Sequence, residues 1–86
     1  MNFLKFFRND YWEDYFVKAT PKSRTHLVTI DLKEDTVMCD CEDFKFRKEN
    51  LKFGGVLLSD TDNHCKHIKE VLNLRNVLID GGFIDG

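Results

Sequence analysis

Three cysteines and one histidine stand in two short pairs, a pattern suited to binding a metal ion. Cys39 and Cys41 are separated by one residue, and Cys65 and His67 repeat that spacing after residues 42–64. The cysteine count of 3 is odd, so a disulfide framework would leave one thiol unpaired. Three thiolates and one imidazole make the four ligands of a closed tetrahedral zinc site. The sequence therefore predicts one structural Zn²⁺.

The elements expected around the two pairs would bring them together. Apolar residues alternate over residues 26–32, which predicts a strand, and the polar residues 33–36 have the length of a hairpin connection. A returning strand over residues 37–41 would place Cys39 and Cys41 on one face, because side chains alternate along a strand. The first cysteine pair is thus expected at a hairpin end.

The second pair is expected at the start of an amphipathic helix that begins near His64 and ends at about residues 75–76. Its apolar face follows the i, i+3, i+4, i+7 pattern at residues 68, 71, 72 and 75. Asp62 or Asn63 would be the N-cap, with Cys65 and His67 in the first turn. The helix dipole stabilises a thiolate there.

The remaining segments complete an α+β prediction. We expect a short helix over residues 3–11, a strand over residues 15–20, and a short helix from Asp43 through Asn50. Residues 77–84 would form a small hairpin across Gly81-Gly82 or fray. The predicted fold is a small zinc-stabilised domain, an antiparallel hairpin or three-stranded sheet followed by a helix (a ββα core). One domain would span residues 1–86, with a core at about 15–75, an aromatic segment at 1–14 and a tail at 77–86.

Each of the four candidate ligands also has a simpler interpretation. A single cysteine such as Cys39 is commonly an ordinary buried thiol, and His67 alone could be a surface residue. Two pairs of the same spacing, one at a strand end and one at a helix start, favour the metal site. His26 lies far from the pairs in sequence and His64 adjoins Cys65 too closely, so both are predicted not to be ligands.

The order of these residues resembles the SWIM-type zinc finger, Cys-x-Cys followed by Cys-x-His. Residues 39–44, Cys-Asp-Cys-Glu-Asp-Phe, are similar to that family's Cys-x-Cys-x-Asp-Phe segment, and residues 65–68, Cys-Lys-His-Ile, to its second half. The resemblance covers about residues 15–75 and implies the same four zinc ligands and a sheet followed by a helix. SWIM domains occur in transposases, helicase-like ATPases and recombination factors, which implies association with DNA. They also occur in ubiquitin-ligase and kinase contexts, which implies protein partners.

The candidate ligands and the absence of other functional motifs in the sequence exclude several classes of function. Four protein ligands leave no open coordination position, and no nucleophile–base pair stands out, so we predict neither an enzyme nor a small-molecule substrate. No segment approaches the roughly 20 apolar residues of a membrane helix, and no signal peptide is recognisable. We therefore expect a soluble, cytoplasmic chain. Its net charge of −2 does not by itself indicate a nucleic-acid binder.

Two kinds of partner remain open. Basic residues interleaved with aromatics could bind phosphates and stack on bases, which favours a DNA-binding module. The alternative is a protein-interaction adaptor, or a homodimer, held by aromatic anchors near the N-terminus. The same residues could instead form a solvated face and close the core. The nucleic-acid candidates are Lys45, Arg47, Lys48 and Lys52, among Phe44, Phe46 and Phe53, and the anchor candidates are Phe3, Phe6, Phe7, Tyr11 and Trp12.

Overall fold

A single antiparallel sheet and one long helix make up the computed structural model, which describes residues 2–44 and 55–84. The sheet order β1-β2-β3-β4-β5 follows the sequence order, and each strand is antiparallel to its neighbour. The α+β prediction, a sheet followed by a helix, is confirmed, but the described sheet has five strands. The elements are β1 (Asn2–Arg8), β2 (Trp12–Lys18), β3 (His26–Asp31), β4 (Thr36–Cys39), β5 (Val56–Leu57), a 3-10 turn (Thr61–Asn63) and α1 (Lys66–Asp80).

One face of the sheet is buried because apolar residues alternate along the central strands. Tyr15 of β2 pairs with Val28 of β3, and Ile30 pairs with Val37 of β4, so these side chains lie on the same face. The helix α1 packs on this face through Ile68 and Val71, and both are fully buried. Phe44, Val56 and the three cysteines join the same cluster.

A buried carboxylate lies in this otherwise apolar layer. Glu13 of β2 has no exposed surface, and its Oε1 accepts hydrogen bonds from the Tyr15 hydroxyl at 2.8 Å and from Arg75 Nε at 2.9 Å. Arg8 of β1 lies 3.3 Å from its second oxygen, Oε2. A buried carboxylate needs such partners because burial without them is costly. The network joins β1, β2 and the C-terminal half of α1.

The prediction of an N-terminal helix over residues 3–11 is wrong, because residues 2–8 form strand β1. Phe6 stacks on Tyr15 with ring centroids 4.9 Å apart, and Phe7 meets Phe16 edge-on at 6.0 Å. Such cross-strand aromatic pairs stabilise a hairpin. The turn is closed by Asn9, whose Oδ1 accepts the backbone N–H groups of Tyr11 and Trp12 at 2.7 and 2.9 Å, as Asn side chains commonly do in turns.

The central hairpin agrees with the sequence prediction to within two residues at each strand end. Strand β3 begins at His26 as expected, and β4 begins at Thr36 rather than residue 37. Between them, Asp31 Oδ1 accepts the N–H groups of Lys33 and Glu34, and Asp35 adopts a left-handed φ of 54°. Strand β2 begins three residues before the predicted residue 15.

The C-terminal tail is helical, so the hairpin expected across Gly81-Gly82 is wrong and α1 extends to Asp80. Leu74, 3 residues after Val71, packs against the core and continues the apolar face beyond the predicted end. Gly82 ends the helix with a left-handed φ of 77°. The Gly82 N–H donates to Ile79 O and the Phe83 N–H to Leu78 O, which is the Schellman arrangement. The two glycines are therefore a helix stop.

Two further expectations can be compared with the structure only over the described residues. The predicted helix from Asp43 through Asn50 extends beyond the described residues, which stop at Phe44 on this side. Within the described part of the chain, no helix is both long enough and apolar enough to cross a membrane.

Candidate metal centre

The two cysteine-containing pairs are placed by the end of one strand and the start of the helix. Cys39 is the last residue of β4, and Cys41 follows after the backbone leaves the strand, so the predicted strand over residues 37–41 is two residues too long. Cys65 is the N-cap residue of α1, with extended backbone, and His67 is the second helical residue. The predicted N-caps, Asp62 and Asn63, lie instead in the 3-10 turn.

The four side chains converge on one point. One donor atom from each of Cys39, Cys41, Cys65 and His67 lies within 4.8 Å of the other three, and all four residues are at least 95% buried. The cysteines are free thiols. A tetrahedron with Zn–S bonds of about 2.3 Å places its sulfurs about 3.8 Å apart. Cys65 Sγ and His67 Nδ1 are already 4.0 Å apart, so small side-chain movements would complete the coordination.

The electrostatics of the three thiols fit a cation site. The interaction between the neighbouring thiols of Cys39 and Cys65 lowers the pKa of Cys65 to about 5 and raises the pKa of Cys39 above its usual range. Burial raises the pKa of the Cys41 thiol. Like charges this close disfavour each other, so the three sulfurs do not all ionise readily by themselves. A bound cation would relieve that repulsion, which is what metal ligation by thiolates provides.

A second pair of side chains links both halves of the site to β3. Asp40, between Cys39 and Cys41, has its Oδ1 2.9 Å from His26 Nδ1, and the same oxygen accepts the Leu27 N–H at 3.1 Å. The His26 ring stacks on His67 with centroids 4.4 Å apart. The sequence assigns no role to Asp40, and His26 lies far from the cysteine pairs along the chain. The only available signal was an acidic residue inside the Cys-x-Cys pair.

The other candidate residues fall outside the cluster. His26 and His64 are not among the four converging residues, and His64 Nε2 lies 3.1 Å from Leu57 O. A cavity of about 600 Å³ borders Cys41 and His67. Its wall carries Arg24 and Lys66 together with acidic residues, so it favours neither sign of charge.

Most of the basic and aromatic residues at positions 44–53 lie outside the part of the chain that the structure describes. The predicted nucleic-acid contacts Lys45, Arg47, Lys48 and Lys52 lie outside the described residues, and so do Phe46 and Phe53. Phe44 is described, and it is a core residue with 1% of its surface exposed. Its aromatic ring is therefore not available for stacking on bases.

Comparisons of the chain with protein families, characterised proteins and solved structures find no match. The fold and site thus define a small α+β domain with a buried Cys3His group positioned to bind a metal ion.

Proposed function

We propose that this protein is a zinc-stapled interaction domain in which Cys39, Cys41, Cys65 and His67 bind one structural Zn²⁺. The observation that carries the proposal is the convergence of four buried donor atoms from two distant parts of the chain. Buried cysteines are common individually, but four potential ligands within 4.8 Å of one another are not explained by packing alone.

The donor set selects the metal. Thiolates are soft ligands that favour zinc and disfavour magnesium or calcium, and imidazole also suits zinc. Four protein donors fill a tetrahedral coordination sphere, whereas a catalytic zinc keeps one position for water or substrate. We therefore assign the metal a structural role and propose that the domain is not an enzyme.

The position of the site explains what the metal would hold together. It would join the end of β4 to the first turn of α1, at one end of the interface between sheet and helix. In small zinc domains the binding free energy, of the order of 10 kcal/mol at neutral pH, contributes directly to folding. The zinc would therefore stabilise the packing of α1 on the sheet.

Native mass spectrometry and ligand variants test this proposal. The purified chain should retain one zinc ion, and Cys65→Ala or His67→Ala should lose both the zinc and the cooperative unfolding transition. His26→Ala should keep one zinc at saturating metal, since His26 lies outside the cluster. A protein that folds stably without metal would refute the structural role of the zinc. A His26 variant that loses zinc while His67→Ala keeps it would refute the ligand assignment.

A DNA-associated role is proposed from the SWIM resemblance and from the basic residues at positions 45, 47, 48 and 52. Direct phosphate contacts would make affinity fall steeply with salt, because binding releases condensed counterions. Replacing the four basic residues with alanine should weaken binding and flatten the salt dependence while the zinc is retained. If the wild-type protein binds neither single-stranded nor duplex DNA at low salt, direct DNA contact is excluded.

The adaptor function is favoured by a specific observation, the exposure of β1. All seven of its residues are exposed, although the strand is paired with β2. Four of them are large apolar side chains. Contiguous exposed apolar surface of this kind is characteristic of protein interaction sites.

A further inference from the structure

Strand β1 has a free edge. It pairs with β2 on one side and is the terminal strand of the sheet, so no described strand lies on its other side. A free edge presents a row of backbone N–H and C=O groups that can pair with another strand. Proteins usually protect such edges by keeping them short or charged, but β1 is seven residues long and contains one lysine and one arginine.

Apolar side chains border this edge on both faces of the sheet. Phe6 is opposite Tyr15 on the face that α1 packs against, and Phe7 is opposite Asp14 on the other face. Their exposed fractions are 40% and 56%, and that of Leu4, at the irregularity in the β1–β2 register, is 50%. A strand added at this edge could therefore bury apolar side chains on either face.

The charge of β1 determines which strand fits. Its sequence contains Lys5 and Arg8 and no acidic residue. Arg8 lies 3.3 Å from Glu13, whereas Lys5 makes no ion pair with the described residues. A second copy of β1 would bring only positive charges to the new pairing, and like charges on neighbouring strands are destabilising. An acidic strand would supply the complementary charge.

We propose that β1 binds an extended segment of a partner protein, rich in acidic and apolar residues, as a sixth strand of the sheet. This inference deepens the adaptor function by naming the mode of binding and the chemistry of the partner. Backbone hydrogen bonds along β1 supply affinity, as in other cases of strand addition. Selectivity comes from carboxylates near Lys5 on one face of the sheet and from apolar side chains beside Phe6 on the other face.

A titration with synthetic peptides tests the proposal on the intact, zinc-loaded chain. The probe is an eight-residue peptide of alternating glutamate and valine, with blocked termini, and NMR spectra of the ¹⁵N-labelled protein follow binding. Amide shifts should be concentrated in β1 and β2. Only alternate N–H groups of an added strand face β1. Two peptides, each N-methylated at one alternate set, should therefore behave differently, one losing binding and the other retaining it.

Charge variants complete the test. Lys5→Glu should weaken peptide binding by roughly five- to thirtyfold, because a favourable cross-strand charge pair becomes a repulsive one. Lys69→Glu makes the same change of charge on the exposed surface of α1 and should leave the affinity unchanged. Zinc content is measured by native mass spectrometry for every sample, so failure of the metal site is recognised separately.

Three results would overturn the inference. The first is no shift in β1 at millimolar peptide, and the second is equal binding of both N-methylated peptides, which would mean contact through side chains alone. The third is concentration-dependent dimerisation of the wild-type protein, seen by sedimentation, with protection of the β1 amides from exchange. That result would identify a second copy as the occupant of the edge.

Discussion

The buried carboxylate of Glu13 offers the sharpest test of how the sheet and helix are held together. Glu13→Gln preserves the shape of the side chain and leaves an oxygen to accept the Tyr15 hydroxyl. It removes the negative charge that faces Arg75 at 2.9 Å and Arg8 at 3.3 Å. The variant therefore measures the contribution of the negative charge to stability while the packing of the side chain is kept.

The expected loss of stability follows from the burial of the group. Removing one partner of a buried ion pair typically costs 3–5 kcal/mol, because the other charge is left uncompensated. Here the side chains of Arg75 and Arg8 retain 16% and 30% exposure, so water can partly solvate them. We therefore expect the lower end, about 3 kcal/mol, which corresponds to a fall in Tm of roughly 10–25 °C for a domain of this size.

Urea unfolding at saturating zinc, followed by circular dichroism, would measure this change without screening the ion pair by added salt. Glu34→Gln is the matched control, since Glu34 is exposed in the β3–β4 turn and should change stability by no more than about 0.5 kcal/mol. Arg75→Met in the Glu13→Gln background should cost less than in the wild type, because the uncompensated cation is removed. A Glu13→Gln variant as stable as its control would refute the reasoning.

Three further predictions concern the metal site and the core. His26→Ala should lower zinc affinity by roughly 10- to 100-fold in chelator competition, because the ring packed on His67 is lost. His26→Phe should restore part of that affinity. Unchanged zinc affinity in both variants would contradict a positioning role of His26 toward His67. Burial and the hydrogen bond to Glu13 raise the pKa of Tyr15 well above its usual range. The neutral Tyr15 hydroxyl therefore contributes fully to the free energy of unfolding below about pH 10, and this contribution is lost as the pH rises further. Urea midpoints between pH 9 and 11 should therefore depend on pH less steeply in Tyr15→Phe, and an identical dependence would contradict this. Ile68→Ala should destabilise the fold by about 2–5 kcal/mol, while Val77→Ala, at 64% exposed, should have little effect, and equal losses would contradict the assigned core.

The parts of the fold that were predictable are those with a strong local pattern. Residues 26–31 alternate cleanly, and the convergence of Cys39, Cys41, Cys65 and His67 could be expected from their spacing and chemistry. Strand β1 was misassigned because its aromatic residues also match a helical period over a short window. The better evidence was its turn, since Asn9 and Asp10 are typical of hairpin connections.

The features that escaped prediction depend on contacts between residues far apart in the chain. Glu13 stands among alternating residues, where a charged side chain ordinarily indicates solvent, and its partner Arg75 is 62 residues away. The contact of His26 with Asp40 also joins two separate segments, over a separation of 14 residues. Strand β5 has only two residues, too few to show a period. These features depend on tertiary packing, which a single sequence pattern does not encode.

The burial of Phe44 and Val56 has a consequence for how variants of this domain can be designed. Both are core residues with 1% and 2% exposure, so substitutions between them that keep these two side chains should leave the core packing in place. Variants that differ only at positions 45–54 can therefore be compared on one common frame, made of the sheet, the helix and the four converging Cys and His residues.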